Sequence, residues 1–162
     1  MNNDIENFLN SDDQIALVES QKYEKVLYNI LDSLSNHFNK GIFYTNLSFK
    51  ILMDNFKSSP NIKVSNYNIT SDKGNFINGI EMKYNHFDKV KTKRINIGGP
   101  ETFSIYYPLQ SVLRNEKEYE NLLNMISEDN SSKIILVTLS SVDSSNIKAK
   151  VDKHIVMSTW YI

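Results

Sequence analysis

His86 and Asp88 stand two residues apart, a spacing that puts both on one face of an extended strand. An imidazole and a carboxylate placed so could share a proton or ligate a cation. The other histidines, His37 and His154, have no partner at i, i+4 or His-x-His spacing, and the chain has no Cys to complete a metal-ligand set. An isolated polar pair of this kind reads as a solvated strand face. Gly98-Gly99-Pro100-Glu101 could cradle an anion with successive backbone N–H groups, but it lacks the glycine and Lys-Ser/Thr patterns of phosphate loops and reads as a tight turn. No Gly-x-Ser-x-Gly marks a serine nucleophile. The chain is therefore expected not to be an enzyme, with no catalytic residue, cofactor or metal.

Two stretches are expected to make contacts. Lys89, Lys91, Lys93 and Arg94 place four positive charges in six residues, with the lysines alternating along one side of an extended segment. They could hold phosphates or an acidic neighbour, but no aromatic interleaves with them to stack a base. Nucleic acid is thus expected only as a local contact, and a lysine-guarded sheet edge is the competing reading. The second stretch is Trp160-Tyr161-Ile162, where the chain becomes apolar on both faces. Bidentate recognition of phosphate or carboxylate has two centres, since Arg94 and Arg114 are the only arginines.

Periodicity sets the elements that must position these residues. Met1 to Asn10 reads as a flexible arm carrying Ile5, Phe8 and Leu9, and residues 11–162 read as one domain. Ser11 and Gln14 match a capping box, and Tyr23, Val26, Leu27, Ile30, Leu31, Leu34 and Phe38 recur at helical spacing, so one helix, or two if the break of the apolar face at Glu19-Ser20-Gln21 divides it, is expected to end near Gly41. Ile42 to Tyr44 reads as extended; Leu47 to Phe56 fits helix and strand, with helix preferred. Antiparallel hairpins are expected over 62–87 and 93–107, and a second helix from Pro108 through Ile126. Lys133 to Leu139 and Ile147 to Ile162 read as the arms of a long C-terminal hairpin. The expected class is α+β: N-terminal helix, antiparallel meander, second helix, C-terminal hairpin.

Composition narrows the partners. Eighteen basic and nineteen acidic residues leave a net charge of −1, so no global field draws in nucleic acid or an anionic membrane. No long apolar run suggests a signal peptide or a membrane span, and the expected location is the cytoplasm or a virion assembled there. In its order of elements, and in that alone, the expected fold is similar to the small ring-forming proteins at the neck and tail of tailed phages. That resemblance implies a non-catalytic assembly subunit, a homo-oligomer with protein partners and no small-molecule ligand. The alternative is a cone-shaped α+β ligand-binding module or enzyme, similar to nuclear-transport-factor-like cones, with His86, Asp88 or Tyr84 facing an apolar pocket.

Overall fold

The computed structural model describes residues 3–65, 75–86 and 98–157. Apolar runs buried on both faces make the central strands, β1 (Ile15–Ser20), β2 (Lys40–Thr45), β6 (Thr102–Tyr106) and β7 (Lys133–Leu139). Such near-continuous runs suit parallel strands covered by helices on both sides. β5 (Ile80–His86) and β8 (Lys153–Val156) flank them, and two short strands, β3 (Val64–Ser65) and β4 (Phe76–Ile77), extend one edge. The order across the sheet is β3-β4-β5-β2-β6-β7-β1-β8. From β5 to β8 every pairing is parallel, and β3 and β4 are antiparallel.

Helices cover both faces. α1 (Asn3–Leu9), α2 (Tyr23–Leu34) and α3 (Phe49–Ser58) bury Phe8, Ile30, Leu31 and Phe56 against Val18, Phe43, Phe103 and Val137. On the opposite face a 3-10 turn (Val112–Arg114), α4 (Glu116–Ser127) and the short α5 (Ser145–Lys148) pack Val112, Leu122, Met125 and Ile147 on Leu17, Tyr44, Tyr106 and Leu136. Side-chain caps start α3 and α4: Ser48 Oγ accepts from Ile51 N–H at 3.2 Å, and Asn115 Oδ1 from Glu118 N–H at 3.1 Å. The connections from β1 and β2 run one way across the sheet and use the first face; those from β6 and β7 run the other way and use the second. Right-handed crossovers require this change of face with change of direction. Topological switch points therefore fall between β1 and β7 and between β2 and β6.

Helices and strands are mixed as expected, but several elements differ. The C-terminal hairpin is replaced: β7 and β8 both pair with β1, in parallel, and part of the expected second arm is α5. Ile147 and Ala149 carry a strand-like alternation, but the parallel register leaves β7 needing a crossover, and a short helix supplies part of it. The capping-box reading of Ser11 to Gln14 fails because Ile15 to Val18 is a central strand; Ser11 Oγ instead donates back to Phe8 O at 2.8 Å. The helix then begins at Tyr23, after the Glu19-Ser20-Gln21 interruption of the apolar face. Phe76 to His86 is not one strand, since Asn78 (φ 51°) and Gly79 (φ 80°) make a tight turn between β4 and β5. The expected second helix begins at Glu116, after a cis Tyr107-Pro108 bond and the 3-10 turn. Leu47 to Phe56 resolves as the Ser48 cap and α3. Within the first ten residues, expected as an arm, α1 buries Ile5, Phe8 and Leu9. No helix among the described residues is long and apolar enough to cross a membrane.

Candidate functional site

Ligands of open parallel sheets bind in the crevice outside the carboxyl ends of the strands, at a switch point. Here Ser20 closes β1 and Leu139 closes β7, and the backbone knits the two exits together, with Ser140 N–H donating to Ser20 O at 3.1 Å. Beside this junction, on the α4 side, a cleft of about 800 Å3 opens. One wall comes from the 3-10 turn and the first turns of α4: Leu113, Arg114, Glu116, Tyr119, Glu120 and Leu123. Residues 141–147, the crossover from β7 into α5, make the other. Val142 and Ile147 are buried there and give an apolar floor, while Ser141, Asp143, Ser145 and Asn146 are exposed.

The charges around this cleft are unequal in their commitments. Asp143 accepts from the Ser145 N–H at 3.0 Å and Oγ at 2.7 Å, and these bonds hold its carboxyl below the usual carboxylate range. Among the described residues, Arg114, Glu116 and Glu120 have no hydrogen-bond or ion-pair partner for their side chains. Glu116 and Glu120 are four apart on α4 and so share a face. The Tyr119 hydroxyl is enclosed without a partner among the described residues, and burial raises its pKa.

A buried carboxylate fixes the crossover that makes the second wall. Glu19, 5% exposed near the end of β1, accepts from Ser144 Oγ and from His154 Nε2 at 2.7 Å, with Lys148 Nζ at 3.8 Å. The cluster ties β1, β8 and α5 together. Charge-assisted bonds of this sort contribute about 1.5–3 kcal/mol each when well enclosed, and here Glu19 and Ser144 are buried while His154 and Lys148 are only partly so. Ser144 and His154 bond to different oxygens of Glu19.

On the other face a smaller cavity of about 320 Å3 lies over residues 21–25, at the start of α2. Tyr107, just past β6, is 4% exposed with its ring 5.8 Å from that of Tyr23. Burial, and then the Glu24, Tyr23 and Tyr28 charges, push its pKa far above the usual phenol value. Below about pH 10 the phenol is protonated in both folded and unfolded chains; above it only the unfolded chain ionises. The folded state then holds the extra proton, and stability falls by up to about 1.4 kcal/mol per pH unit from this residue. Tyr107→Phe is expected to flatten the alkaline limb of a denaturation-versus-pH curve. Lys133, lowered chiefly by burial, contributes with the opposite sign and cancels in the comparison.

Lys89, Lys91, Lys93, Arg94, Trp160, Tyr161 and Ile162 lie outside the described residues, as does Asp88. His86 ends β5, where its Nε2 is 2.5 Å from the Tyr84 hydroxyl, which donates to Leu47 O at 2.5 Å. His37 pairs with Glu6 at 2.9 Å, joining α2's end to α1. Gly99 forms the turn into β6, its carbonyl accepting from Thr102 N–H at 3.0 Å. Among the described residues no group of three or more His, Asp or Glu is gathered to hold a metal ion. Of the two arginines, Arg114 lines the cleft. Sequence reasoning missed Glu19, Ser144 and the cleft itself; the break in the helical stripe at Glu19 was the one signal available. No protein-family model, curated protein or solved structure matches this chain.

Proposed function

We propose that the chain is a non-catalytic binding domain that holds a small polar molecule between α4 and residues 141–147. One observation carries this reading: a cleft of about 800 Å3 with an apolar floor and uncommitted charged side chains lies at the carboxyl end of β7, beside a switch point. That size falls within the range of ordinary small-molecule sites, and the position is the one this architecture uses. The architecture supplies the place and not the ligand. The test is a thermal-shift screen against a broad polar metabolite panel, run on the wild type and on Ser141→Trp, whose indole fills the cleft from an exposed loop. A ligand that raises the wild-type melting temperature and leaves Ser141→Trp unmoved is the expected result. No stabilising ligand, or one that stabilises both proteins equally, contradicts it.

A second reading, a homo-oligomeric assembly subunit, is favoured by the β8 edge. β8 is the last strand of the described sheet, and Val156 on it is 61% exposed. An open edge with an exposed β-branched residue can add a strand from another chain. The element order that carried the likeness to phage ring proteins is not the order of this sheet, so the assembly reading rests on the edge instead. Light scattering of wild type and Val156→Lys tests it: a defined oligomer dispersed by the lysine supports it, and a monomer at every concentration removes it.

A further inference from the structure

The three uncommitted charges of the cleft are of both signs, and this limits what can satisfy them. Arg114 ends the 3-10 turn, and Glu116 and Glu120 follow on the exposed face of α4. All three line the same cleft, yet no nitrogen of Arg114 comes within ion-pair distance of either carboxylate, although only one residue separates Arg114 from Glu116. A purely anionic ligand would meet the carboxylates of Glu116, Glu120 and Asp143, and a purely cationic one would meet the guanidinium. A neutral polyol could hydrogen-bond to these groups but would neutralise none of their charges. Beneath the charges lie Leu123, Val142 and Ile147, an apolar floor suited to an aliphatic group.

From this juxtaposition we propose that the cleft binds an aliphatic zwitterion, a free α-amino acid or a short peptide, with its carboxylate on Arg114, its ammonium between Glu116 and Glu120, and its side chain over Val142 and Ile147. This rests on the binding-domain reading above and adds the ligand class. A guanidinium holds a carboxylate through two parallel N–H bonds, and an ammonium offers three donors that two carboxylates can share. Cleft volume favours the peptide over the free amino acid, since about 800 Å3 exceeds what one residue fills.

Isothermal titration with leucine, alanyl-leucine and leucyl-alanyl-leucine tests the class, with isoamylamine and isovalerate as probes carrying one charge each. Expected are saturable binding of at least one zwitterion, tightest for a peptide, and about tenfold or greater weakening for each single-charge probe. Arg114→Ala should weaken the zwitterion about tenfold while not weakening isoamylamine, which no longer meets a like charge, and Glu116→Gln with Glu120→Gln should weaken the zwitterion while not weakening isovalerate. Leucine binding more tightly than either peptide would assign the site to free amino acids. Zwitterions that bind wild type and Arg114→Ala equally overturn the proposal. So does a ligand from the metabolite screen that needs the cleft, when no zwitterion binds; the binding-domain reading then survives. A cleft that takes nothing from the screen or from these probes sinks both. All the substituted side chains are exposed, so unchanged melting temperatures are expected and separate lost binding from lost fold.

Discussion

Phe103→Ala is expected to lower the free energy of unfolding by about 3–5 kcal/mol, with a fall in melting temperature on the order of 10 °C. Phe103 is 0% exposed on β6, directly across from Gly41 of β2. Its ring occupies the space where a side chain at position 41 would be, since a Cβ there would lie 2.2 Å from the ring. Phe38 meets it edge to face at 5.3 Å and 70°. Removing the ring leaves a cavity that a glycine cannot fill, and the strands on either side are held in parallel register and cannot close it. The reciprocal change, Gly41→Val, should destabilise as well, by about 1–3 kcal/mol through overpacking. Chemical denaturation of both variants and of the double mutant checks the pair. The double mutant should be less unstable than the two losses summed, because each change relieves the other.

Lys133→Met should release α1 and cost about 3 kcal/mol. Lys133 opens β7 at 8% exposure, and its ammonium donates to Phe8 O at 2.9 Å, Ser11 O at 2.7 Å and Asp13 O, while lying 4.6 Å from the centre of the Phe8 ring. Those carbonyls terminate α1 and carry the chain into β1, so a single side chain serves as the C-cap of a seven-residue helix too short to persist alone. Methionine keeps the volume and the apolar contact and removes all three donors. Burial lowers the Lys133 pKa, partly offset by Asp13, Asp12 and Asp152, so some of the lost bonding is offset by relief of desolvation. The distinguishing measurement is hydrogen exchange. Amides of residues 5–13 should lose protection in Lys133→Met while those of β6 keep theirs.

Residues whose environment is local were legible from the sequence. α2's stripe from Val26 to Leu34 follows from side-chain spacing because it shows one dominant apolar period, whereas Leu47 to Phe56 fitted both periods and was resolved in favour of the preferred helix, and Ile42 to Tyr44 is extended as expected. Sheet topology was not legible. Ile134 to Val137 and Ile15 to Val18 are apolar at every position, a pattern shared by buried parallel strands and by stretches of buried helix, and nothing in it names the partner strand. Ile147 misled because a four-residue helix is too short to show a period. The cleft was invisible because Arg114 and Asn146 are far apart in sequence and come to line one cleft only when the chain passes from β7 through α5 to β8. Arg114 itself stood out by type, as one of two groups able to grip a carboxylate with two bonds.

The most direct test of the binding reading is amide chemical-shift mapping of labelled protein against a pooled set of polar metabolites, amino acids and short peptides. The account predicts perturbations concentrated in residues 113–123 and 141–147, with α2 and α3 on the opposite face unmoved. A spectrum unchanged by every pool, or shifts centred on α2 and α3, would contradict it.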